Sequence, residues 1–338
     1  MTQDYDINQL MAKWFLPKTE SSFDSDYQAT FRATGDNKAK RYSEYLREVC
    51  PAAEQESFAF VSIGAADGSE IDYVSQRFRF KKFIACEPSQ DGAMSLQSLS
   101  TVLASKEIEL RVLSGDIWEK RHEISSAISE WALSGVVVSA QSVLHELPYR
   151  SQRRDFASLF LQLISFSRKC IFLSSDPTGN IGSWPQNVVV SSTKLSAQSI
   201  YQLSRLIHQN FFPEKDQPEL IGVQVHCDAQ IALEVIYKLA YWNGNARLEY
   251  ELEECLSKFP RALIQDILNA NEFESTTSTW QNKKVAQSFR ENFTVRAVNA
   301  ASDLTFPETF VSIFANNLKK KSELPSGRSL TVSILPSK

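Results

Sequence analysis

Cysteine is scarce and scattered: five in 338 residues, at Cys50, Cys86, Cys170, Cys227 and Cys255, with no C-x-x-C pair. Such spacing gives neither a zinc knuckle nor a disulfide framework, so the expectation is a reduced, cytoplasmic protein. The histidines add no metal site. His122 and His208 have no spaced partner, and His226 and Cys227, as neighbours on a strand, point to opposite faces. Long apolar runs are missing too. The longest, around 231–242, is interrupted by Glu234 and Lys238 and falls short of the ~20 apolar residues that cross a bilayer. The start, Met1-Thr2-Gln3-Asp4-Tyr5-Asp6, is acidic where a secretory leader is basic. Neither sign of charge dominates: 36 Lys and Arg stand against 40 Asp and Glu, a net charge of -4. That balance disfavours nucleic acid and membrane as general partners.

What is present is an ordinary globular composition, 43% hydrophobic and 22% charged. Tyr42, Tyr45, Leu46 and Val49 recur at helical spacing and predict one helix before Pro51. From Phe58 onward, apolar runs of strand length alternate with amphipathic stretches. The runs are Phe58–Ile63, Phe83–Cys86, Ile108–Leu113, Val136–Ser139 and Cys170–Leu173; Met94–Leu103 and Phe156–Phe166 have helical spacing. Strand–helix alternation predicts an α/β fold with a Rossmann-like, mainly parallel sheet and helices on both faces. Right-handed crossovers put every strand's C-terminal end on one edge, where such sheets bind ligands.

Asp176-Pro177-Thr178-Gly179-Asn180 is a turn cluster, after which the pattern loosens. Ala197–Phe211 is expected to be helical and Leu220–Cys227 a half-buried strand. Asp228 is placed to cap a helix over 229–242, with a second strand as the competing assignment. Helices are expected over Arg247–Ser257 and Arg261–Asn269, and along the i,i+4 rows Val285, Phe289, Phe293 and Phe306, Phe310, Phe314, Leu318, whose aromatics belong to a core. Ser329–Leu335 alternates like a short strand. The expected organisation is an N-terminal helical and lid segment over 1–57, a ligand-binding domain over 58–228, and a mainly helical region over 229–338.

The chemistry concentrates at four strand ends. Phe60-Val61-Ser62-Ile63-Gly64-Ala65-Ala66-Asp67-Gly68 runs from a buried strand into a glycine turn, where Gly64 relieves the backbone and Gly68 permits close approach. Glu87 ends the next apolar strand, 19 residues past Gly68, near the spacing at which an acidic residue accepts hydrogen bonds from a ribose. A third strand ends in Gly115-Asp116-Ile117 and a fourth in Ser139-Ala140-Gln141, with His145 just beyond. Neither G-K-[ST] nor a full G-x-G-x-x-G is present, which favours a nucleoside cofactor without emphasis on phosphate.

As a set, these segments resemble the class I S-adenosylmethionine-dependent methyltransferases across roughly residues 58–176. The resemblance implies S-adenosyl-L-methionine as cofactor and methyl transfer to an oxygen or nitrogen of a small molecule or protein. It implies that Gly64, Ala65 and Gly68 line the methionine half, Glu87 holds the ribose, Asp116 and Ile117 meet the adenine, and Gln141 lies beneath the sulfonium. His145, following the fourth strand, is the candidate general base. Two positions depart from the family: Ser62 stands where an acidic residue is usual, and Ala66 where glycine is frequent. These keep open an alternative, a non-catalytic cofactor-binding or regulatory protein with the same fold. Tyr27, Phe31 and Arg32 are expected to belong to a lid over the sheet edge.

Overall fold

A computed structural model describes residues 38–147, 156–241 and 255–318. Helix α1 spans 38–49, ahead of Pro51 as its tyrosine spacing predicts. Five strands joined by four helices follow: β1 (Phe58–Ile63), α2 (Ser69–Arg77), β2 (Lys82–Glu87), α3 (Gln90–Ala104), β3 (Glu109–Ser114), α4 (Ile117–Glu130), β4 (Gly135–Gln141), α5 (Phe156–Ile164) and β5 (Cys170–Pro177). β1 and β4 are buried along their whole length, as strands covered on both faces must be.

The chain then makes β6 (Asn187–Ser192), α6 (Ala197–Phe211), β7 (Glu219–Ile221), β8 (Gln224–Asp228) and α7 (Ala229–Tyr241). It continues through α8 (Arg261–Ala270), β9 (Glu274–Trp280), α9 (Lys283–Asn292), β10 (Phe293–Ala297) and β11 (Phe310–Asn316). Two sheets result, a seven-stranded one ordered β3-β2-β1-β4-β5-β11-β9 and a four-stranded one ordered β10-β6-β8-β7. The first is parallel from β3 to β5; β11 then runs antiparallel to both β5 and β9. The expected Rossmann-like α/β architecture is therefore present, with two extra strands closing one side.

The side chains of the large sheet alternate between two apolar layers. Phe60, Phe83, Val137, Leu173 and Phe314 face α1, α2 and α3. Val61, Ile84, Val138, Phe172 and Ile313 face α4, α5 and α8. The four-stranded sheet, α6, α7 and α9 enclose a separate apolar cluster built on Ile207, Val225, Leu233, Ile236, Phe289 and Val295. Ala229 to Tyr237 are almost all buried, so α7 is a helix hydrophobic around most of its circumference. Asp228 caps it, accepting from Gln230 N at 2.8 Å.

Several expectations need correction. The described part of the region beyond 229 carries strands as well as helices: β9, β10 and β11 lie in it, and β11 sits inside the large sheet. Phe310 and Phe314 belong to a strand, because a spacing of four is also two strand periods and keeps both rings on one face. The i,i+4 row that begins at Val285 stops at Phe293, where β10 starts. The single strand expected over Leu220–Cys227 is a hairpin, turning at Gly222 (φ +61°) and Val223. A cut at 228/229 runs through the second cluster, which takes β6, α6 and β8 from one side and α7, α9 and β10 from the other. The lid residues Tyr27, Phe31 and Arg32, the strand at Ser329–Leu335 and most of the helix expected over Arg247–Ser257 lie outside the described residues.

Candidate functional site

The C-terminal edge of the parallel strands gathers the residues singled out in the sequence. After β1 the chain turns through three left-handed positions, Gly64 (φ +63°), Ala66 (φ +49°) and Gly68 (φ +85°). Gly64 and Ala65 donate their N–H groups to Cys86 O at 2.9 and 3.3 Å, tying the turn to β2. A Cβ on Gly64 would meet Val143 at 2.5 Å, and one on Gly68 would meet Leu99 and Leu96 at 2.7 and 2.9 Å. The requirement for glycine at 68 thus comes from α3 as well as from the backbone. Ala66 occupies a conformation that suits glycine, at a cost of about 1–2 kcal/mol.

Glu87 is buried at the end of β2. Its Oε2 accepts from Ala66 N at 2.8 Å; its Oε1 accepts from Ser89 N at 3.0 Å and Ser89 Oγ at 2.6 Å. One carboxylate thereby joins the glycine turn to the cap of α3. Gly115 N donates to Glu87 O at 3.1 Å, bringing the end of β3 alongside. Asp116 caps α4 by accepting from Trp118 N at 2.7 Å, and Ile117 is buried in the layer below the sheet.

On the other side of β1 lies a network that the sequence did not announce. Glu70, in the first turn of α2, accepts hydroxyl hydrogen bonds from Tyr42 at 2.7 Å, Ser139 at 2.6 Å and Ser62 at 2.7 Å. Burial, and next the Glu70 charge, push the Tyr42 phenol well above its ordinary pKa, so it stays a donor. Ser62 thus donates its hydroxyl to a carboxylate that comes from α2. Gln141 continues the network: its Nε2 donates to Ser139 Oγ at 3.2 Å and Leu173 O at 3.1 Å, while its Oε1 is buried with no hydrogen-bond partner among the described residues. Lys38, at the start of α1, reaches Gln141 O at 3.4 Å; desolvation lowers its pKa, an effect opposed by Glu70, Asp176 and Glu146.

Three residues past Ser142, which is itself left-handed (φ +59°), His145 is buried with its Nδ1 3.0 Å from Asp176 Oδ1. Asp176 is fully buried near the end of β5. Five parallel strands ordered β3-β2-β1-β4-β5, an antiparallel β11 beside β5, a glycine turn after β1 and a buried acid ending β2 stand together at one edge. This is a Rossmann-like α/β sheet with an antiparallel strand beside β5.

The sequence matches no known family profile, and no curated protein matches it. Solved structures with a loosely similar outline include methyltransferases. The plantazolicin methyltransferase BamL, in complex with a triazolic desmethylPZN analogue and SAH, is 10% identical with a TM-score of 0.41, over 93% of this chain and 96% of its own. A SAM-dependent methyltransferase from Archaeoglobus fulgidus is 11% identical with a TM-score of 0.39, over 86% and 97% of the two chains. The methyltransferase domain of bacterial CtHen1-C is 8% identical with a TM-score of 0.40, over 82% and 96%.

At this sheet edge, Gly64, Ala65, Gly68 and Glu87 form one bonded unit, and Asp116 and Ile117 adjoin it through Gly115. Gln141 belongs to the Glu70 network, and His145 pairs with Asp176. Glu70, Tyr42, Lys38 and Asp176 escaped the sequence reading. Glu70 sits two residues past Gly68, where an acid in a helix's first turn looks like an ordinary terminal charge. Asp176 was hidden in a cluster of turn formers. Among the described residues, no group of three or more His, Cys, Asp or Glu side chains is arranged to hold a metal ion, and no helix is long and apolar enough to cross a membrane.

Proposed function

We propose that this protein is an S-adenosyl-L-methionine-dependent methyltransferase that acts in the cytoplasm on an oxygen or nitrogen of a small molecule or protein. The observation that carries the reading is the unit made by the left-handed glycine turn and the buried Glu87 carboxylate. A carboxylate offers about four acceptor positions, and three protein donors use Glu87. The Ser89 hydroxyl is a rotor that can swing away, which leaves room for two ribose hydroxyls. Gly64, Ala65 and Gly68 keep side chains out of the space beside the methionine half. Asp116 and Ile117 flank the adenine, and the unpaired Gln141 Oε1 is an acceptor suited to the floor beneath a sulfonium.

The cofactor supplies an electrophilic methyl group on a positively charged sulfur. The chain's part is alignment and exclusion of water, together with a base for an acceptor that must lose a proton. His145 has that role in this reading. Five free, buried cysteines fit a reducing compartment. Calorimetric titration with S-adenosylmethionine, S-adenosylhomocysteine and NAD tests the assignment. Binding of both adenosyl ligands and not NAD is expected; a preference for NAD, or no binding of S-adenosylhomocysteine, refutes it.

A further inference from the structure

We propose that Gly92, in the first turn of α3, is a positioning residue for the cofactor site: with no side chain there, α3 lies close enough to hold the Glu87 carboxylate against the glycine turn. The proposal rests on the methyl-transfer reading above. The backbone does not ask for glycine at 92. That position is helical, and the positive-φ glycines among the described residues are Gly64, Gly68, Gly115, Gly182 and Gly222. Glycine also weakens a helix, through the chain entropy it gives up on folding. Its place in α3 is explained by what surrounds it.

A Cβ at 92 would lie 2.6 Å from Ser89 Oγ, 2.7 Å from Glu87 Cγ and 2.8 Å from Ala66 O. These atoms belong to the three residues that the Glu87 carboxylate joins. Ser89 Oγ accepts from Gly92 N at 3.2 Å, capping α3, and donates to Glu87 Oε1 at 2.6 Å. Ala66 sits in the left-handed turn, and its N–H donates to Glu87 Oε2 at 2.8 Å. At Gly68 the atoms in the way are the side-chain ends of Leu99 and Leu96, which can repack. At Gly92 they are a backbone oxygen, a helix cap and the stem of the carboxylate itself.

Helix α3 cannot retreat from the crowding without unpacking. Its Leu96 and Leu103 are fully buried in the apolar layer that holds Phe83 and Leu110, and Ser100 Oγ donates to Leu110 O of β3 at 3.0 Å. The compliant member is the Glu87 side chain. A methyl group added at 92 turns its carboxylate out of line with Ala66 N and Ser89. Charge-assisted hydrogen bonds require short, aligned geometry, so ribose hydroxyls would then meet a misdirected acceptor. Gly92 acts through Glu87, without touching the ligand.

The test is calorimetric titration of the full chain with S-adenosylhomocysteine and with its 2′,3′-dideoxy analogue, which lacks both ribose hydroxyls. The wild type is expected to prefer the parent ligand at least about tenfold. Gly92→Ala should weaken the parent at least about tenfold and leave the analogue within about twofold. A merely structural role would weaken both ligands together. In the Glu87→Ala background, where neither the stem nor the carboxylate remains, adding Gly92→Ala should change nothing further; this pair also serves where the single variant folds poorly. Equal weakening of both ligands, undiminished affinity in folded Gly92→Ala, a wild type that does not distinguish the two ligands, or additive losses in the pair overturns the proposal and leaves the methyltransferase reading standing. Failure of the wild type to bind S-adenosylhomocysteine overturns that reading, and the proposal with it.

Discussion

At the C-terminal edge of the seven-stranded sheet, polar side chains are buried as a connected row, from Glu70 through Ser139 to Gln141, with His145 and Asp176 beside it. In the second cluster, one knot on α7 stands out. Glu234 and Lys238, both fully buried, pair at 2.8 Å, and the Glu234 carboxylate also accepts Leu256 N at 3.1 Å and Ser257 N at 2.8 Å. The knot ties both carboxylate oxygens to partners, whereas the row leaves Gln141 Oε1 and Asp176 Oδ2 without a hydrogen-bond partner among the described residues. A closed arrangement serves the protein's own architecture. An open one carries a cost in stability that makes sense when something else completes it.

Breaking the closed knot should have the largest effect. Glu234→Ala leaves a buried ammonium and two backbone N–H groups without their acceptor, and is expected to cost about 3–5 kcal/mol in denaturant unfolding. Replacing both members, Glu234→Leu with Lys238→Met, should recover much of that loss. Were the double variant as unstable as the single one, the knot would not be an ion-pair device.

Removing the Glu87 carboxylate, which joins the glycine turn at the same sheet edge, should instead be felt in binding. Glu87→Ala is expected to weaken S-adenosylhomocysteine at least about tenfold, a loss of roughly 1.5–3 kcal/mol, with the fold retained. Unchanged affinity in a folded variant would detach Glu87 from the ligand.

The two regions should respond alike to alkali. Burial pushes the thiols of Cys86 in the sheet and Cys227 in the second cluster up to about 12. A thiol ionises near 8.5 in an unfolded chain, so the unfolded state loses protons first. Stability is intact below that value and falls by about 1.4 kcal/mol per pH unit per thiol above it. Cys86→Ala and Cys227→Ala should flatten the alkaline slope equally in urea titrations; a much larger effect from one would mean that the two interiors differ in wetness. The smallest change is expected from Ser312→Ala. Ser312 Oγ joins Ser175 Oγ at 2.6 Å to Trp280 Nε1 at 3.1 Å, and its loss should lower stability by about 1 kcal/mol, read as a shifted urea midpoint.

The two regions also differ in how far they could be read from sequence. β1, β2, β4 and β5 were legible because their apolar, β-branched runs are those of strands covered on both faces. The glycine turn and Glu87 were legible because each stands at a fixed offset from such a run. β9, Glu-Ser-Thr-Thr-Ser-Thr-Trp, was not, since it is a half-buried edge strand with no apolar alternation. β11 was misread because four residues satisfy both periods. Glu70 and Asp176 were invisible as site residues, since their partners lie 69 and 31 positions away along the chain, at Ser139 and His145. Nor does a linear pattern reveal which of two cores an element will join.

That interleaving bears on how the chain is made. Among the described residues it leaves the large sheet after β5, returns for α8 and β9, leaves again for α9 and β10, and then delivers β11 into the slot between β5 and β9. During synthesis the inner edge of β5 therefore stays unpaired until the ribosome has passed residue 316. A nascent chain stalled before β11 would present an open row of backbone donors and acceptors on an apolar strand, a template for pairing with another chain. β11 works as a seal, and translation beyond it is what closes the sheet.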